Sequence, residues 1–193
     1  MSEFMVYFQI GIKHVLDWNG YDHVLFLMVL ACTSTFASWK RMLVLVSLFT
    51  IGHTLSLFLS VFGIVIVQTY YIELLIPITI LATALHNIFS AKKSSKNNGL
   101  GIVGIITVLF GIVHGLGFSN YFKNLLTGTM TQKLLPTLGF AVGIEAAQIV
   151  VVMVVLIAAY LLQNVFKVSK RDFVLVLSAI VVGLVLPMIF ERI

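Results

Sequence analysis

The stretch Gly11–Leu27, GIKHVLDWNGYDHVLFL, sets His14, Asp17, Asp22 and His23 just ahead of an almost uncharged apolar run. Imidazoles and carboxylates at the mouth of a membrane helix are costly to bury, and by default they mark a functional site. Three later segments answer this one: FTIGHTLSL around His53, GIVHGLGF around His114 and GIEAAQ around Glu145. The rest of the chain reads as a scaffold that brings the four together.

Composition sets the class. Of the 193 residues, 60% are hydrophobic and 10% charged, and the mean hydropathy is +1.11. Soluble domains carry about 25% charged residues. The apolar segments run for about 18–28 residues, too long and too continuous for barrel strands of about ten alternating residues. The expected fold is all-α, a polytopic bundle of about six transmembrane helices behind a short N-terminal interfacial element, with residues 1–193 forming one transmembrane domain.

The net charge is +5. Its basic residues sit in short loops, where they meet lipid headgroups and set topology; they do not indicate nucleic acid as a partner. The single cysteine, Cys32, lies in an apolar run and reads as a small buried hydrophobe. The N-terminus lacks a basic leader region, so no cleavable signal is expected.

In order, residues 1–20 read as a half-inserted element with Trp18 and Tyr21 as interface anchors. Asn19-Gly20 signals a turn, and Asp22 is placed to cap the next helix. Membrane helices are expected over about 21–37, 42–67, 72–91, 100–118, 134–163 and 172–190. KKSSKNNG, residues 92–99, is the most polar stretch and reads as a loop. Lys40, Arg41, Lys92, Lys93, Lys96, Lys167, Lys170 and Arg171 fall in alternate loops, against Lys13, Lys123, Lys133 and Arg192 on the other side. This bias puts the first side in the cytoplasm and both termini outside it.

Topology gives depth. His14, Asp17, Asp22 and His23 are expected at the outer face, and His114 roughly 6 Å below the outer end of its helix. His53 and Glu145 are expected near the midplane, facing each other. His86 belongs to the inner half. His14 and Asp17 share a face if their element is helical, which suits a metal ligand with its orienting partner or a base with its orienter. Asp22 and His23 are adjacent and diverge by about 100° on a helix. Thr50 and Thr54 flank His53, and Gln148 follows Glu145 by three residues. Bland alternatives exist: a plain cap for Asp22, a water-facing ring for His14, a helix–helix hydrogen bond for His53 or Glu145.

Together these segments resemble the HupE/UreJ family of bacterial membrane proteins over nearly the whole chain. The family's glycine–histidine and glycine–Asp–His opening is matched by Gly11, His14, Gly20, Asp22 and His23. Its Phe-Thr then His-Ser/Thr pattern is matched by Phe49, Thr50, His53 and Thr54. His-Gly-x-Gly-Phe is matched by His114, Gly115, Gly117 and Phe118, and Gly-x-Glu-x-x-Gln by Gly143, Glu145 and Gln148. The resemblance implies a permease for nickel or another divalent metal.

Chemistry agrees with a metal ion as partner alongside the bilayer. Imidazole suits nickel, zinc, copper and iron, with carboxylates as hard co-ligands; three or four histidines with an acid suit zinc or nickel, and there is no cysteine cluster to suggest soft copper or iron–sulfur chemistry. The candidate ligands are His14, Asp17, Asp22, His23, His53, His114 and Glu145, with Thr50, Thr54 and Gln148 as supporting polar groups. The alternative function is an intramembrane, zinc-type hydrolase built on the same cluster, with Glu145 as candidate base. Against an enzyme, no HExxH signature is present. The pattern leaves homo-oligomerisation open.

Overall fold

The computed structural model describes residues 2–91, 100–126 and 128–193. The expected loop at 92–99 lies outside them. Among the described residues there is no strand and there are seven α-helices: α1 (Glu3–Val15), α2 (Asp22–Ala31), α3 (Trp39–Val61), α4 (Thr69–Ser90), α5 (Leu100–Leu125), α6 (Met130–Asn164) and α7 (Lys170–Phe190). Five of them, α3 to α7, are long and apolar enough to cross a membrane. The chain is a multi-pass helical membrane protein, and lipid is its surroundings.

The expected first span differs. α2 has 10 residues, about 15 Å at 1.5 Å per residue, half of a hydrocarbon core of about 30 Å. Helix length therefore does not give a sixth span. The break falls at Thr33-Ser34-Thr35, three hydroxyl residues that compete with the helix for backbone hydrogen bonds. The Thr35 and Ser38 side chains then cap each other's backbone and start the turn Phe36–Ser38 that leads into α3. The cap of α2 also differs from the sequence expectation: Tyr21 occupies it, and Asp22 is the first helical residue.

α5 runs seven residues beyond its expected end at Phe118. Ser119, Asn120, Lys123 and Asn124 look like a loop by composition, yet they continue the helix. The Ser119 hydroxyl bonds back to the Leu116 carbonyl at 2.7 Å. Asn120 reaches the Thr69 hydroxyl at the start of α4.

Two glycine seams hold the bundle. A methyl on Gly111 or Gly115 of α5 would overlap the carbonyl oxygens of Phe49 and His53 in α3, and one on Gly52 would overlap that of Val108. Helices α3 and α5 therefore pack backbone against backbone, as small residues permit in membranes. The second seam joins α1 to α6. Gly139 and Gly143 sit over the Phe4 and Phe8 carbonyls, and Gly11 over that of Phe140. The pairs advance together, so α1 and α6 run parallel at this contact. Phe26, Phe49, Phe122 and Phe140 are fully buried between the seams.

Candidate metal centre

The two short helices end and begin at the site. His14 lies in the last turn of α1, His23 in the first turn of α2, and His53 in the middle of α3. Ligand nitrogens of the three lie within 4.8 Å of one another. The His14 and His23 rings are 4.6 Å apart, and each is 5.8 Å from His53. His114 joins from α5, its ring 5.0 Å from that of His23.

Two of the rings, His23 and His114, are oriented as ligands. The Nδ1–H of His23 donates to Asp22 Oδ1 at 3.0 Å, since an ionised carboxylate can only accept. The Nδ1–H of His114 donates to the Phe110 carbonyl at 2.8 Å. Both bonds leave Nε2 as the free lone pair, the usual support of a metal-ligating histidine. Nε2 of His14, His23 and His114 and both ring nitrogens of His53 are buried without a hydrogen-bond partner among the described residues. Such orphans are costly in a folded protein, and one cation relieves several together. Burial, with His23 adding to it, pushes His14 well below the ordinary imidazole pKa; the neutral ring is the form a metal needs. The residues present therefore fit a divalent metal. Aromatic rings stand around the cluster: Phe49 lies 5.9 Å from His23 and 5.2 Å from His114, and Phe118 lies 3.8 Å from His14.

The remaining candidates fall elsewhere. Asp17 is exposed and shapes the loop, accepting from the Asn19 backbone N–H at 3.0 Å. Asp22 serves His23, accepting from both its backbone and its ring. Glu145 does not pair with His53: its carboxylate accepts from the Ser47 hydroxyl at 2.5 Å. The Thr50 hydroxyl contacts the Gln148 amide oxygen at 3.0 Å. The Thr54 hydroxyl is buried without a partner among the described residues. His86 is exposed, within 3.4 Å of Ser90, whereas the neighbouring Asn87 is buried and donates to the Val29 carbonyl at 2.7 Å.

Depth differs from the sequence expectation as well. With α5 ending at Leu125, His114 lies eleven residues below that end, about 16 Å. His53 lies eight residues, about 12 Å, from the end of α3. The outer and midplane groups are thus one site. Sequence reasoning missed Ser47, whose only signal was a hydroxyl inside the apolar run Met42–Leu48; it named Phe118 as a motif residue without placing it in the wall, and it missed Phe140. It also missed a groove of about 860 Å³ beside His14, lined by Lys13, Asp17, Trp18, Asn19, Phe118 and Tyr121 among others.

A family model described as HupE / UreJ protein matches residues 1–192. The chain belongs to the HupE/UreJ family. No curated protein and no solved structure matches it. The four segments that carried the resemblance to the HupE/UreJ family lie on five helices, α1, α2, α3, α5 and α6. Three of the four contribute an imidazole to one cluster; the fourth, with Glu145, stands beside it on α6.

Proposed function

We propose that the imidazole cluster binds a divalent transition metal, nickel or zinc, as cargo, and that the chain, acting as one transmembrane unit, carries it across a bacterial cytoplasmic membrane. The observation that carries this reading is the convergence of buried, unpartnered ring nitrogens on His14, His23 and His53. The association of the HupE/UreJ family with metal transport agrees with it. His14, His23 and His53 hold the ion, Asp22 orients His23, and His114 stands ready as a further ligand. Asp17, on the groove wall, attracts the arriving cation. Thr50–Gln148 and then Ser47–Glu145 offer oxygen groups at steps toward the basic end of α3, Ser47 lying six residues, about 9 Å, beyond His53. They supply an exit on the side that the basic loops mark as cytoplasmic.

One observation favours the second reading, a metal-dependent hydrolase. Three histidines with a groove on one side match a catalytic zinc with a free water position, and about 860 Å³ accommodates an organic substrate. Metal analysis of the purified protein beside Ni²⁺ uptake into vesicles separates the two. Transport predicts bound metal and uptake, both lost in His23→Ala. Stoichiometric metal without uptake transfers the weight to the hydrolase, and absence of bound metal sinks both.

Orientation has its own test. With Lys92–Gly99 in the cytoplasm, Ser95→Cys stays unlabelled by an impermeant thiol reagent on intact cells and labels after permeabilisation. Cys32 is buried and gives little background. Labelling of intact cells reverses the topology.

A further inference from the structure

Of the three clustered imidazoles, only His14 lines the groove. His23 is 3% exposed and His53 fully enclosed. An ion entering by the groove therefore has to pass His14 to reach the other two. What stands with His14 at that point is Phe118, which also lines the groove. Its ring lies 3.8 Å from the His14 ring. Behind it, Phe140 is fully buried and stacks on Phe118 at 5.1 Å with 6° between the planes. Phe118 is half-buried, with wall on one side and open groove on the other.

We propose that Phe118 is the gate between the groove and the three-histidine cluster, its ring swinging into the groove to let a divalent cation past His14. The wall side is closed by Phe140, so the open volume of the groove is the direction left for the movement. A phenyl ring has no donor atom for a metal, so the gate sets rates and leaves the ligand set unchanged. The ring obstructs entry and departure equally, and its removal accelerates both without moving the equilibrium between them. This proposal rests on the metal-binding reading, and its test includes a measurement that needs no metal.

In that measurement His53→Cys is made in a Cys32→Ser background and titrated with a small, water-soluble thiol reagent. Adding Phe118→Ala should raise the labelling rate by about tenfold or more, the scale of a removed conformational barrier, and Phe118→Trp should lower it. Then, with His53 restored, Zn²⁺ release to a chromophoric chelator is followed by stopped flow. Phe118→Ala should speed release and uptake together, with affinity and stoichiometry unchanged. Equal labelling rates in all three proteins overturn the gate. So does a Phe118→Ala variant whose faster release is matched by weaker binding, because Phe118 would then position His14 and not gate it. If the wild type binds no Zn²⁺, the metal-binding reading fails, and the labelling rates still decide whether Phe118 controls access. Phe118→Leu, which keeps an apolar filling, replaces the alanine if that variant does not fold.

Discussion

His53→Leu is expected to abolish metal binding and at the same time to stabilise the metal-free protein. The two effects have one cause. The ring is fully enclosed, and neither of its nitrogens has a hydrogen-bond partner among the described residues. Each buried, unsatisfied polar atom costs about 1–3 kcal/mol. Leucine fills similar space, keeps the contact with Phe49 and Phe140, and has no polar atom to satisfy. A gain of about 1–3 kcal/mol is expected from its removal, seen as a higher Tm of the metal-free protein in detergent. Metal affinity moves the other way. Loss of a partner that merely supports a ligand costs about 10–100-fold, and loss of the ligand itself costs more. Calorimetric titration with Ni²⁺ or Zn²⁺ checks this, and retained affinity would remove His53 from the ligand set. A lower Tm would show that internal water satisfies the ring.

The second large effect lies on the backbone. Gly115→Val prevents accumulation of folded protein. A Cβ at this position overlaps the His53 carbonyl oxygen and the Ser56 hydroxyl. Overpacking commonly costs about 1–3 kcal/mol where side chains can yield. Here the obstacle is another helix's backbone, so the cost exceeds that range. Gly101 and Gly183 have nothing within 4 Å of an added Cβ, and valine at either should leave folded yield near that of the wild type. Size-exclusion profiles of the three variants read the difference directly. Equal profiles would mean that the α3–α5 seam opens cheaply. Gly115→Ala carries the same Cβ without valine's two further methyls, so it should lower folded yield less than Gly115→Val does and displace α3, reducing metal affinity because His53 rides on the seam.

The legible part of this protein was its chemistry. Histidines and acids stand out in an apolar chain, and the depths expected along the helices set His14, Asp22, His23 and His114 toward the outer side, where His14, His23 and His114 do come close. The illegible part was geometry that composition does not encode. Ser119, Asn120 and Lys123 read as loop because they are polar, but α5 continues through them, which moves His114 from near a helix end to well inside it. Glu145 and His53 share an approximate depth, and depth says nothing about helix face. Ser47, a hydroxyl hidden in an apolar run, took the carboxylate. Asp17 shares the neighbourhood of His14 in sequence, and the turn at Asn19 directs it into the loop. The ten-residue length of α2 follows from three consecutive hydroxyl residues, a signal that hydropathy averages away.

The amide of Asn87 on α4 holds the far end of α2 through the Val29 carbonyl and the Cys32 sulfur. At its near end, α2 carries His23 and Asp22. A rod of about 15 Å thus has one tip at the imidazole cluster and the other tied to a spanning helix. It has the form of a strut: a shift of α4 along its own axis would reach the other tip as a displacement of His23.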